Sequence, residues 1–262
     1  MKLYLVVIKN SIHISFKKIK AYNMEFLMML FHFIFSFLFV FLFWTSILNN
    51  FFFSENWTIG ELYIYATMIL LADGVGEVFF AFRRFPHAIT TGGLDQYLTK
   101  PIPTVFLFII ANLNIISILE QVFVSISAFI IISISYEIHI SVIAFIISLL
   151  LIFIGTIVYQ FLYGAFSLIS FWFGNVELLR EAIFNINEFK KYPLDIFNTW
   201  IQRVFTFILP ISLISYYPVS IMLNKNEISI ILIIIYVSML LISVSLFNLV
   251  WKCGVKRYEA NQ

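Results

Sequence analysis

Residues 26–54 run from Phe26 to Ser54 without a single Asp, Glu, Lys or Arg. As a helix rising 1.5 Å per residue, that run exceeds the roughly 30 Å hydrocarbon thickness of a bilayer. It predicts a tilted first span that includes Trp44 and ends near Asn49-Asn50. The rest of the chain follows suit. Of 262 residues, 62% are hydrophobic and 11% charged, against roughly 45–50% and about 25% in soluble domains. About six spans of some 20 residues would take up about half the length and leave no room for a second soluble domain of ordinary size. No removable signal peptide is expected, because the start passes through scattered lysines rather than a charged tip, an apolar core and a small-residue cleavage site. The lone Cys253 implies no redox function.

Further spans follow from the apolar runs. A second is expected over Leu62–Phe82, carrying Asp73 and Glu77, with Gly74 and Gly76 allowing close approach of a neighbouring helix. A third is expected over Pro103–Ile134, interrupted by Glu120. Ile138–Val176 is free of Asp, Glu, Lys and Arg for 39 residues, enough for one long helix or two spans. Charge placement decides, since Lys and Arg gather on the cytoplasmic side. One long helix there puts 15 of the 16 basic residues inside, with Lys225 outside. The inside set then includes Arg180, Lys190, Lys191 and Arg203 in one connection. A fifth span is expected over Asn198–Ser215 and a sixth over Ile228–Trp251, with both termini cytoplasmic.

Two segments read as non-spanning. Residues 1–24 set Leu3, Val6, Val7, Ile14 and Phe16 among lysines, as an interfacial helix would. Residues 216–226 contain Pro218, which should interrupt a helix and produce a short outer excursion. The predicted fold is therefore all-α and integral to the membrane, a single domain over 1–262.

Catalytic signatures are absent. No phosphate loop is present, nor a His-Glu-x-x-His or Gly-x-Ser-x-Gly. His13, His32, His87 and His139 fall on separate elements and read as interface residues. Neither an enzyme nor a cofactor or metal site is expected in this chain. The charge of +2 suggests no nucleic-acid partner. Asp73, Glu77 and Glu120 stand at membrane depth, where an ionisable group faces a partner, a cavity or an ion path. With Asn112 they are candidate pathway or interface residues. An ion-coupled carrier using Asp73 and Glu77 is the alternative function; against it, no intramembrane Lys or Arg completes a relay.

The most informative segment is Arg83–Pro101. It combines Pro and Gly pairs with Ile89, Leu94, Tyr97 and Leu98 in a cytoplasmic connection. A short amphipathic helix over Leu94–Thr99 would offer its apolar face to a soluble partner, or sit as an ordinary surface helix.

Here the sequence resembles ABC-2-type permeases that carry Gly-Leu-Asp followed by Lys/Arg-Pro after the second span. Gly93-Leu94-Asp95 and Lys100-Pro101 carry the likeness, with Tyr192-Pro193-Leu194-Asp195-Ile196, Phe207-Ile208-Leu209-Pro210 and the tail Trp251–Tyr258. Gly92, Asp73 and Glu77 fall outside that pattern. The resemblance implies an elbow helix, six spans, a coupling helix and a non-spanning element before the last span. It implies an exporter of an unknown amphipathic substrate in the cell membrane, working by alternating access. Its partners would be two copies of a separate ATPase, which holds ATP and Mg2+, and a second permease, the same chain or a different one. Coupling would fall on Arg83, Arg84, Gly93, Leu94, Asp95, Tyr97, Leu98 and Lys100.

Overall fold

A computed structural model describes residues 2–21, 24, 28, 31, 32, 35, 38, 39, 41–43, 45, 46 and 56–260. Every described residue between 24 and 46 is helical; most of the expected first span, Trp44 included, lies outside the described residues. Among the described residues there is no strand, and four helical runs are long and apolar enough to cross a membrane.

The first helix, α1 (Lys2–Ala21), exposes Val6 and Ile14 and lays the Tyr4 ring edge-on to Phe106 at 5.2 Å. The central helix, α2 (Ile59–Gly76), starts at a capping box. The Glu61 carboxylate accepts from the Thr58 amide at 2.7 Å, and the Thr58 hydroxyl accepts from the Glu61 amide, satisfying two amides that a helix start leaves free. Its apolar residues face all directions, and Leu62, Tyr63, Ile64, Tyr65 and Met68 are all buried, as befits a helix surrounded by others. The run continues as tighter turns over Glu77–Arg84 and then as α3 (Phe85–Thr90). One end of the bundle can thus be named for Arg83 and the other for Trp57.

The expected third helix is broken. Asn112 and Asn114 end α5 (Thr104–Ala111) and begin α6 (Ile115–Ser135), after the single turn α4 (Asp95–Leu98). The Asn112 amide donates to the Phe108 carbonyl at 2.8 Å, and Asn114 accepts from the Ser117 amide. Both asparagines satisfy helix ends. The expected long fourth helix forms as a single apolar run over Val142–Phe173, comprising α7 (Val142–Ser167) and the turn α8 (Ser170–Phe173). It ends at Gly174, whose φ is +68°.

Beyond Gly174 the structure departs from the expected charge map. From α9 (Glu177–Asn187) the chain climbs antiparallel to α2. Arg180 donates to the Arg83 carbonyl at 3.1 Å. The Lys190 ammonium meets Asp73. The Tyr65 hydroxyl donates to the Lys190 and Tyr192 carbonyls at 3.0 and 3.1 Å. The Trp57 indole donates to Asp195 at 2.9 Å. Arg180, Lys190, Lys191 and Arg203 therefore do not share one surface connection. Lys190 lies midway along the Ile59–Thr90 run, and Arg203 follows the point where the chain has reached the Trp57 end.

A single fifth helix over Asn198–Ser215 does not form. The short α10 (Thr199–Arg203) passes into a wide turn over Val204–Ile208. Leu209 then leaves helical geometry at φ −119°, ψ 85°, the region favoured before a proline. The chain reverses into α11 (Tyr216–Met222). Pro218 does not interrupt this helix, because it sits in the first turn, where no backbone donor is needed. Within the 216–226 segment Val219 and Met222 are buried, as are Ile211, Leu213 and Ile214 just before it. The Ser148 hydroxyl donates to the Pro218 carbonyl at 2.6 Å. Gly155 of α7 packs directly on the Leu213 carbonyl, where a Cβ would collide with backbone. Lys225 lies at the Trp57 end, 2.9 Å from Glu61 and over the Trp57 ring. The last helix, α12 (Ile230–Ala260), runs on past Trp251 through the basic tail.

Candidate functional site

The segment at the Arg83 end is pinned from within. Phe85 stacks on Phe108 with centroids 4.5 Å apart and packs tilted against Trp251. Gly92, at φ +74°, lets the chain reverse, and the Leu94 amide then donates to the Ala88 carbonyl at 3.1 Å. Leu94 is fully buried, and Tyr97 meets Phe108 edge-on at 5.0 Å. The Tyr258 hydroxyl donates to Asp95 at 2.6 Å, tying the far end of α12 to α4. The apolar residues are thus turned into the bundle and do not form an outward face. What faces outward is polar: Arg84, His87, Thr90, Thr91, Gln96, Thr99 and Lys100. Arg84 also donates to Asn112 at 2.9 Å. Arg83 instead turns inward, 3.9 Å from Glu77 and over the Phe80 and Phe184 rings.

The second constellation is a polar cavity of about 260 Å³ lined by Asp73, Glu77, Arg83, Glu120, Gln121, Asn187, Glu188, Lys190 and His32, with Leu70, Val124 and Phe184. Helices α2, α6 and α9, the turns that follow α2 and α9, and His32 supply the walls. Close approach is possible because Gly74 lies against Gln121 and Gly76 against Gln160, so these glycines do the work their spacing suggests. Lys190 is 4% exposed, whereas its partner Asp73 is 42% exposed; the ammonium is enclosed and the carboxylate opens on the cavity. Glu120 accepts from His32 at 3.0 Å. Glu188 pairs with Lys191. Among the described residues no cluster of His, Cys, Asp and Glu could hold a metal ion.

A family model for ABC-2 family transporter proteins matches residues 34–261. The chain belongs to that family. It is a membrane permease of an ABC transporter, a transport component rather than a catalyst. No curated protein and no solved structure matches it.

The permease's sequence-predicted residues divide into three groups. Asp73, Glu77, Glu120 and Arg83 converge on the cavity. Leu94, Asp95, Tyr97 and Leu98 anchor the segment. Arg84 and Lys100 face outward, and Asn112 joins α5 to Arg84. Sequence reasoning missed Lys190, Asn187 and Glu188. Their signal was present: α9 carries Leu179, Ile183, Phe184 and Ile186 at helical spacing, which marks an amphipathic helix packed along the bundle. The dense charge around it suggested a loop instead.

Proposed function

We propose that this permease is the membrane half of an ATP-driven exporter, with ATP and Mg2+ bound by two copies of a separate ATPase and a second permease completing the pathway. Residues 83–101 would be the coupling element. The observation that carries the reading is the construction of that segment: an apolar inner side tied to α12 through Tyr258, and a polar outer side open to a partner. ATP can drive transport through it only if the ATPase contacts it differently in two states.

In this reading the Arg83 end is cytoplasmic, because exposed Lys9, Lys17, Arg84, Lys100, Lys252, Lys256 and Arg257 gather there. Residues 1–24 form the elbow on the inner leaflet. The six crossings become the 24–46 segment, α2, α6, α7, the broken path over 177–197, and α12. Residues 199–222 become a hairpin dipping in from the outer face, and residues 216–226 its return. The protein would sit in the cell membrane with both termini cytoplasmic.

The test is co-purification and ATP hydrolysis. Lys100→Glu reverses charge on the outward face and is expected to abolish ATPase association with melting unchanged within about 0.5 kcal/mol. Leu94→Ala is expected to cost about 2–5 kcal/mol of stability. Association that survives Lys100→Glu and Gln96→Glu together overturns the assignment. The ion-coupled alternative draws on Asp73 and Glu77 opening into one cavity, and requires uptake into vesicles that persists without ATP.

A further inference from the structure

Along α2 and into the turn that continues it, Tyr63, Thr67, Leu70, Asp73 and Glu77 follow one another at steps of three and four, and so share one face. That face lines two cavities, not one. The polar cavity lies around Asp73 and Glu77. A second, of about 300 Å³, lies toward the Trp57 end between Phe41, Tyr63, Ala128, Ile131, Ile132 and Tyr136. Leu70 belongs to the wall of both. The two chambers are neighbours along the seam of α2 and α6, one charged and one apolar.

The charged chamber has an excess of acceptors. Asp73, Glu77, Glu120 and Glu188 face two permanent cations, Arg83 and Lys190, which leaves two negative charges. Lys191, from outside the lining, offsets one through Glu188. Among the described residues, Glu120 pairs with His32. Asn187 adds an independent signal: it is 8% exposed, lines the chamber, and its buried side-chain carbonyl oxygen has no donor among the described residues. A buried acceptor left unmade costs about 1–3 kcal/mol, and uncompensated charge at membrane depth is expensive. A group that is both positive and a hydrogen-bond donor removes both penalties at once.

We propose that the two chambers form one site for an amphipathic organic cation, with an ammonium among Glu120, Glu77 and Asn187 and an apolar tail past Leu70 against Ile131 and Tyr63. This deepens the permease reading and rests on it, naming the class of substrate.

The experiment is calorimetric titration of the permease, with its co-purified ATPase, in nanodiscs of zwitterionic lipid, against protein-free nanodiscs. Octylammonium is expected to bind saturably, one per permease. Octanesulfonate is expected to show no saturable binding, and methylammonium to bind at least tenfold more weakly than octylammonium. Glu120→Gln is expected to weaken octylammonium at least tenfold, and Glu120→Asp, which keeps the charge, to retain it. Leu70→Trp, at the junction, is expected to weaken octylammonium while leaving methylammonium unchanged. Absence of saturable octylammonium binding overturns the proposal, as does equal binding of octanesulfonate, or a Leu70→Trp variant that binds octylammonium normally. If the ATPase still co-purifies in those cases, the permease reading stands and only the substrate class falls. If octylammonium binds and no ATPase associates, the reverse holds.

Discussion

Lys190 and Asp73, 117 positions apart, form an ion pair midway along α2. The pair joins the broken path over 177–197 to the central helix and sets one wall of the charged cavity. Lys190 is nearly fully enclosed, so it depends on Asp73 for compensation. Removing one partner of a buried pair costs about 3–5 kcal/mol, while replacing both by apolar groups is often neutral. Asp73→Asn is therefore expected to lose about 3 kcal/mol, the low end because the carboxylate opens on the cavity. Asp73→Asn combined with Lys190→Met is expected to regain most of that loss. A double-mutant cycle by denaturation in detergent measures the coupling.

Tyr258 holds Asp95 by a charge-assisted hydrogen bond. Such bonds contribute about 1.5–3 kcal/mol, and each 1.4 kcal/mol is a factor of ten. Tyr258→Phe is expected to raise hydrogen exchange over Asp95–Leu98 by about tenfold or more. Exchange within α7 serves as the internal reference and is expected to stay constant.

Gly155 meets the backbone of Leu213 directly, and the same Leu213 carbonyl accepts from Tyr236 at 2.7 Å. Gly155→Ala has no flexible side chain to displace, so the 204–222 hairpin must shift. A loss of about 1–3 kcal/mol is expected from the overpacking. The shift is checked by increased protease cleavage at Leu209–Ser215 relative to the unsubstituted protein.

The climb of residues 177–197 makes a topological prediction. In a Cys253→Ser background, which removes the single cysteine, Gln96→Cys and Thr199→Cys place thiols at exposed positions. A membrane-impermeant maleimide is expected to label them from opposite sides. Labelling of both from one side restores the single basic connection that the charge pattern suggested.

The long apolar helices were legible because hydropathy and length are properties of the local chain. Val142–Phe173 is a single run for that reason, and Gly74 and Gly76 announced close packing by their size alone. The breaks at Asn112–Asn114 and Leu209 were also written locally, in capping residues and a proline, although apolar length obscured them. The path over 177–197 was misread because charge density was taken as a sign of solvent. Lys190 is tolerated inside because Asp73 is there to receive it, and that partner is a fact of the fold.

By itself, the sequence determined that this chain is helical and lives in a membrane, since long uninterrupted apolar runs, unlike the alternating strands of a barrel, cross lipid as helices whose backbone bonds are satisfied within the segment. It also marked Arg83–Pro101 as special. Tertiary structure alone decided which side of that segment faces out, because Leu94 is buried, Tyr97 packs on Phe108 of α5 and Asp95 is held by Tyr258 of α12. It alone assembled Asp73, Glu77, Glu120, Asn187 and Lys190 around one cavity, because the pairing of charges across a bundle depends on which helices touch, and no local pattern encodes that choice.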